Sequence, residues 1–263
     1  VTKRHLAAAL LTTFAAALLL APGACARWHP KPTTAAWQWQ LQGKVDLSVD
    51  AGVYEVDGFE VPAKTVAALQ RKGRRAICYL DVGSWESYRP DAGRFPKRVL
   101  GRAYEGYPDE RWLDIRRIDL LAPLLRHRFD ICKRKGFDAV EPDNVAGYEN
   151  RTGFPLTAAD QLRFNRWVAR EVHRRGMAVA LKNDPAQVKP LVSRFDFAVV
   201  EECFAYEECG RFSPFVEAGK AVFVAEYTSS PLLAICGQAE RLRFSVIRKD
   251  YDLFARPWEP CFP

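Results

Sequence analysis

Short apolar runs alternate along the chain with longer stretches of helical period, the pattern of parallel strands joined by crossover helices. Eight runs read as strands: residues 37–41, 53–57, 76–82, 137–141, 178–182, 197–201, 221–227 and 244–248. Between them, residues 62–72 read as a helix with Pro62 in its first turn and Gly73 just past its end. A second helix begins at Thr157, where Asp160 completes a capping box, turns Phe164, Trp167, Val168 and Val172 inward, and stops at Gly176. Eight such alternations predict an α/β protein, a single-domain (β/α)8 TIM barrel. The competing doubly wound sheet lacks a G-x-G-x-x-G after its first strand. Residues 84–113 break the rhythm and read as a long irregular loop with a functional role, anchored by Trp85, Tyr88 and Trp112.

The first 26 residues lie outside this pattern. Lys3 and Arg4 precede an apolar and small run of 15 residues from Leu6 to Leu20, and Ala24-Cys25-Ala26 supplies an A-x-A cleavage site. A bilayer span needs about 20 apolar residues. Residues 1–26 are therefore predicted to be a signal peptide, and 27–263 the barrel domain of a secreted or periplasmic protein with no membrane span. Pro22 and Gly23 fit poorly with acylation at Cys25. The 237 residues that remain of 263 approach the roughly 250 of one barrel. Without Lys3 and Arg4 the formal charge falls from +7 to +5, and the arginines are scattered over predicted helices, so no nucleic-acid partner is expected. Six cysteines remain after Cys25 is removed with the leader: Cys78, Cys132, Cys203, Cys209, Cys236 and Cys261. In an exported chain they predict up to three disulfides, with Cys203–Cys209 the one local pair, and no C-x-x-C or paired-histidine spacing suggests a metal.

Candidate chemistry follows from elimination. Of four histidines, His5 is in the leader, His29 just beyond it, and His127 and His173 in Arg-flanked helical segments. A Ser-His-Asp or Cys-His centre and a histidine zinc site are thus disfavoured, and Gly83-Ser84 makes no nucleophile elbow. Carboxylates remain, and they fall at predicted strand ends, where barrel active sites form: Asp57, Asp81, Glu141, Asp143, Glu201 or Glu202, and Glu226. Glu141 and Asp143 share a strand face across Pro142, and period two allows only one of Glu201 and Glu202 to face the mouth. Two carboxyl groups across a cleft suffice for glycoside hydrolysis without a cofactor. Lys182, at the end of the fifth strand, would favour the ionised form of a nearby Asp, with a Schiff-base role as the competing reading. Trp39, Trp85, Tyr88, Tyr148 and Tyr227 could stack on sugar faces.

Five stretches in order, Cys78-Tyr-Leu-Asp-Val-Gly-Ser-Trp-Glu86, Trp112-Leu-Asp114, Gly136-Phe-Asp-Ala-Val-Glu-Pro-Asp-Asn144, Leu181-Lys-Asn183 and Glu201-Glu-Cys-Phe204, resemble glycoside hydrolase family 114, the endo-α-1,4-polygalactosaminidases. The resemblance implies a retaining barrel enzyme with Asp143 as nucleophile and Glu201, rather than Glu202, as general acid and base. The chain departs from the family pattern at Val200 and Glu202, where Asn and Gln are expected. The implied partner is a galactosamine-containing polysaccharide, met by a monomer without metal or cofactor. Its ammonium groups would be held by Asp57, Asp81, Glu141 and Glu226, with Tyr79, Trp85, Asn144, Lys182 and Tyr227 completing the expected substrate contacts. The alternative is a barrel that binds carbohydrate without turnover.

Overall fold

The computed structural model describes residues 27–229 and 231–262. The expected signal peptide lies outside the described residues. Twelve strands and six helices follow in chain order: β1 Trp37–Gln40, β2 Val53–Asp57, α1 Ala63–Arg71, β3 Arg75–Asp81, β4 Ser84–Glu86, β5 Leu100–Tyr104, β6 Tyr107–Leu113, α2 Ile118–Lys135, β7 Ala139–Asp143, α3 Ala158–His173, β8 Ala178–Lys182, α4 Val188–Leu191, β9 Phe197–Glu201, α5 Ser213–Glu217, β10 Val222–Glu226, α6 Leu233–Leu242, β11 Ser245–Arg248 and β12 Glu259–Pro260. All eight strands expected from the sequence are present.

Those eight strands run parallel in the order β1-β2-β3-β7-β8-β9-β10-β11, with β12 antiparallel on the far edge of β11. The barrel is nearly closed. Its last seam is bridged by other contacts: Trp258 Nε1 donates to the Trp37 carbonyl at 2.7 Å, Gln38 Nε2 to the Ala255 carbonyl at 3.0 Å, and Lys249 Nζ to Gln38 Oε1 at 3.3 Å. A second seam is also short of ladder bonds. The β7–β8 pairing runs only through Ala139–Ala178 and Val140–Val179, and stops before Pro142, whose ring nitrogen carries no hydrogen.

Period two separates two cores. One strand face meets the helices through residues such as Val56, Cys78, Val140, Leu181 and Val224. The other fills the barrel, where Ala139, Ala178, Ala180, Ala221 and Ala225 leave room for Trp37, Trp39, Phe197 and Phe223. Full burial of each large ring contributes about 1.5–3 kcal/mol. The helices start and stop where expected. Thr157 and Asp160 form the reciprocal capping box of α3, and Phe164, Trp167, Val168 and Val172 are buried beneath it. Disulfides join Cys78 to Cys132, tying β3 to α2, Cys203 to Cys209, as expected for the local pair, and Cys236 to Cys261.

Residues 84–113 differ from expectation. They form a three-stranded antiparallel sheet, β4-β6-β5, that rises beside the barrel mouth. Strands β5 and β6 meet at Tyr104 and Tyr107 around a turn in which Gly106 has φ +84°, a conformation that costs a residue with a side chain about 1–2 kcal/mol. Their outer positions are mostly exposed and polar, so no apolar alternation marks them as strands.

Candidate active site

The inward phase of the strands brings titratable side chains to one end of the barrel. Asp57 of β2 lies in register with Tyr79 of β3, Tyr79 with Glu141 of β7, and Asp81 with Asp143. Lys182 ends β8, Glu201 ends β9 opposite Ala225, and Tyr227 follows β10. Above them opens a cavity of about 880 Å3, walled on one side by Tyr104, Tyr107 and Glu110 of the β4-β6-β5 sheet and on the other by Tyr227 and Tyr251.

The Lys182 ammonium is the hub. It is almost fully buried, 4.6 Å from the centroid of the Trp39 ring, and pairs with Glu141 Oε1 at 2.8 Å, Asp143 Oδ1 at 3.1 Å and Glu201 Oε2 at 3.1 Å. Burial alone would lower its pKa, but Asp143, Glu141 and Glu201 outweigh that and hold it well above the usual lysine range, so the group stays charged. A charged, triply paired amine is a poor Schiff-base nucleophile.

Asp143 and Glu201 each receive a tyrosine hydroxyl. Tyr79 donates to Asp143 Oδ2 at 3.0 Å, and Tyr227 to Glu201 Oε1 at 2.6 Å. Burial, followed by the adjacent Asp143 for Tyr79 and Glu201 for Tyr227, holds both phenols well above their ordinary value, which keeps them as donors. Asn144 N–H donates to Asp143 Oδ1 at 2.8 Å, and Asn183 Nδ2 to Glu201 Oε2 at 3.2 Å, while Asn183 Oδ1 accepts the Glu201 N–H at 2.9 Å. The two carboxylates keep side-chain exposures of 19% and 28%, against 0% for Glu141. They face the cavity, and Glu141 lies beneath them.

The residue after each of these strand ends adopts a left-handed backbone: Asn144 at φ +59°, Asn183 at +48° and Glu202 at +54°. Asparagine tolerates this conformation, and glutamate less so. The kink turns the chain away as soon as Asp143, Lys182 or Glu201 has been delivered. It also sends Glu202 outward to accept a hydrogen bond from the Tyr251 hydroxyl at 3.0 Å, so Glu201 alone faces the mouth. Val200 is buried among the helices, away from the cavity. Gly83 is required by close approach, since a Cβ there would lie 1.7 Å from the Asn144 carbonyl oxygen.

The cavity is lined by Asp57, Tyr79, Asn144, Lys182 and Tyr227 among the expected substrate contacts. Four others are corrected. Asp81 is buried, its oxygens taken by Gly83 N–H, Ser84 N–H, the Ser84 hydroxyl and Asn144 Nδ2, so it shapes the β3 and β7 loops. Glu141 lies below Lys182. Trp85 packs on the helix-side core with Nε1 donating to the Ala92 carbonyl at 3.0 Å. Glu226 has the opposite strand phase to Tyr227 and accepts the Phe204 N–H at 3.0 Å. Asp57 reaches the cavity but is paired with Arg89 at 2.7 Å. Of the aromatic candidates, Tyr148 is turned to Asp184 and Glu149, whereas Trp39 and Tyr88 do line the cavity.

Sequence reasoning missed Asn183 as a site residue, together with Tyr104, Tyr107, Glu110 and Tyr251. Asn183 adjoins Lys182 in a stretch already singled out, and its neighbour was the available signal. The rest depended on the unforeseen sheet and on the chain after β11. Glu110 Oε2 lies 2.8 Å from the Ser84 hydroxyl oxygen, whose one hydrogen it shares with Asp81 as competing acceptor, and burial raises its pKa to about 7. Among the described residues no group of three or more His, Cys, Asp and Glu is arranged to hold a metal ion, and no helix is long and apolar enough to cross a membrane.

The model of the glycoside-hydrolase family GH114 matches residues 17–261 of the chain. The crystal structure of Aspergillus fumigatus Ega3 in complex with galactosamine is similar at 35% identity, covering 88% of this chain and 96% of that one with a TM-score of 0.83. The glycoside hydrolase domain of PelA from Pseudomonas aeruginosa aligns at 12% identity over 84% of this chain and 96% of its own, with a TM-score of 0.65. Trehalulose synthase MutB aligns at 10% identity over 79% of this chain and 59% of its own, with a TM-score of 0.55. The last two bear on the fold alone. No curated protein sequence matches the chain.

Proposed function

The chain belongs to the glycoside-hydrolase family GH114, and from that membership we propose that it cleaves α-1,4-linked galactosamine chains with retention of anomeric configuration, using Asp143 as nucleophile and Glu201 as general acid and base. The observation that carries this reading is the single ammonium of Lys182 that holds both carboxylates at 3.1 Å. Their nearest oxygens can be no farther apart than twice that distance. At these oxygens that limit admits the separations of about 5–5.5 Å usual for direct attack and falls short of the roughly 6.5–9.5 Å that leaves room for an intervening water.

In the first step Asp143 attacks the anomeric carbon while Glu201, in its acid form, protonates the departing glycosidic oxygen. In the second, Glu201 takes a proton from water, the hydroxide oxygen displaces Asp143 from the sugar, and both carboxyl groups return to their starting states. Lys182, Tyr79 and the Asn144 amide stabilise the negative charge that returns to Asp143 as the ester breaks.

The substrate class is supported by the galactosamine bound to Ega3 and by charge. A free amino sugar is cationic near neutral pH. Besides the catalytic pair, the cavity lining includes Glu60, Asp109, Glu110 and Asp252, in a chain whose formal charge is +7. Three disulfides favour an oxidising compartment, in keeping with export, and we take the working unit to be a monomer. Incubation with galactosamine oligomers of defined acetylation tests the proposal, with fragments read by mass spectrometry and the first-formed anomer by NMR. Shorter oligomers with a first-formed α anomer are expected. A first-formed β anomer would overturn retention, and binding without fragments would leave a carbohydrate-binding barrel.

A further inference from the structure

Below the catalytic pair lies a carboxyl group that the proposed mechanism does not use. Glu55 projects from β2 into the barrel with no exposed surface, and neither of its oxygens has a conventional hydrogen-bond partner among the described residues. Its ladder neighbours are Trp39 on β1 and Ile77 on β3, both without charge. The charged groups that face it are Glu141 and Asp143 of β7 and Lys182 of β8, and Glu141 is the one within hydrogen-bonding reach.

The short contacts of the ammonium go to Glu141, Asp143 and Glu201. Only the one to Asp143 has hydrogen-bond geometry, so the oxygens of Glu141, like those of Glu55, are left without a conventional partner among the described residues. Two carboxylates facing each other are both acceptors and repel, and an isolated buried carboxylate is far costlier than its neutral acid. A proton between Glu55 and Glu141 resolves both problems. Burial and the charge of Glu141 push Glu55 well above the usual carboxylate range, in agreement with the geometry.

We propose that Glu55 is a positioning residue: it carries a proton that it donates to Glu141, and through Glu141 it keeps the Lys182 ammonium seated between Asp143 and Glu201. The catalytic consequence rests on the reading of Asp143 and Glu201 given above. When Asp143 is esterified it loses its charge and part of its hold on Lys182. Glu141, kept anionic by the Glu55 donor, retains the ammonium below the reacting carbon, so the site does not rearrange between the two steps. Glu55 never touches the sugar.

Two substitutions separate this role from simple packing. Glu55→Gln supplies a permanent donor of the same shape, and kcat and its pH profile are expected to stay near those of the unsubstituted protein. Glu55→Met keeps the volume and removes the donor. Its kcat is expected to fall roughly tenfold to a hundredfold with KM little changed, since displacement of a group near the chemistry has effects of that order. Equal losses in the two variants, or an unchanged kcat and pH profile in Glu55→Met, would overturn the proposal.

An infrared measurement decides the protonation without turnover and without the Met variant. At pH 8, the spectrum of the unsubstituted protein minus that of Glu55→Gln should contain the carbonyl stretch of one un-ionised carboxyl group, with a deuterium shift. Absence of that band would refute the shared proton, whereas its presence in a protein inactive on every galactosamine oligomer would refute only the substrate assignment.

Discussion

Two buried charge clusters sit side by side at the mouth of the barrel, and they are balanced differently. Around Lys182, one ammonium serves Glu141, Asp143 and Glu201. Next to it, two guanidinium groups serve Asp57, Glu86 and Asp91. Arg89 pairs with Asp57 and Glu86 at 2.7 Å each, and Arg128 grips Asp91 through two N–H bonds at 2.9 and 2.8 Å while donating to the Asp81 carbonyl at 2.7 Å. Phe59 lies against both guanidiniums, and no side chain in this second cluster is more than 6% exposed. Guanidinium offers five fixed donors, and ammonium three. Arg128 and Asp91 lie away from the cavity and hold the β3 and β4 loops against α2, while Arg89 and Asp57 reach the cavity wall as a bound pair. The lysine cluster is short of positive charge and open at Asp143 and Glu201, which is the condition for two carboxylates to do chemistry instead of architecture.

Substitutions should split the two clusters cleanly. The largest effect is expected from Asp143→Asn, which should reduce turnover of galactosamine oligomers by about 10⁴-fold with a fall in the urea midpoint well below that of Arg128→Met. A comparable loss of stability would place Asp143 with the structural charges. Arg128→Met should do the opposite. It leaves Asp91 buried without its cation and should cost about 3–5 kcal/mol in urea unfolding, the order expected when a buried ion pair loses one partner.

A smaller effect is expected at the tyrosines that trim the open cluster. Tyr227→Phe removes the 2.6 Å bond to Glu201 Oε1 and should lower kcat/KM on the order of tenfold, with folding intact. Last comes Glu226, a carboxyl raised by burial and tied into neither cluster. Burial raises Glu226 to about 7, above the ordinary glutamate value of 4.5. The folded state thus binds the proton more tightly than the unfolded chain, and stability is lost as pH rises from about 4 toward 7. Glu226→Gln should remove this slope, gaining about 1 kcal/mol over the unsubstituted protein near pH 8 and nothing near pH 4, as followed by thermal melts across pH. A flat difference would show that Glu226 shares a cation after all.

The barrel was legible because its strands are apolar on both faces, which makes them stand out as runs, and because Thr157 with Asp160 announces a helix start without tertiary help. The β4-β6-β5 sheet was not, since segments such as Pro108-Asp-Glu-Arg111 carry no apolar alternation and are fixed by pairing and by the Gly106 turn. Within the site, strand-end position pointed to Asp143, Lys182 and Glu201. Strand phase also held the answer for Glu226, which must face away from its neighbour Tyr227. Depth along a strand was harder to read. Glu141 and Asp143 share a face, and only the register with Tyr79 and Asp81 shows which is buried and which meets the cavity. Pairing across space, as between Asp57 and Arg89, has no signature in the linear chain.

The interrupted ladder between β7 and β8 bears on how such proteins age over evolutionary time. Beyond Val140–Val179 the ion pairs from Lys182 to Glu141 and Asp143 span that seam, so these three residues brace the wall of the barrel in addition to their place in the proposed reaction. Glu201 stands across the β8–β9 junction, which has its own backbone pairing through Lys182–Val199, and mends nothing. On the roles proposed above, a descendant that stops cutting sugar is expected to lose Glu201 before Lys182, and survival of the lysine with Glu141 and Asp143 would report only that the wall still stands.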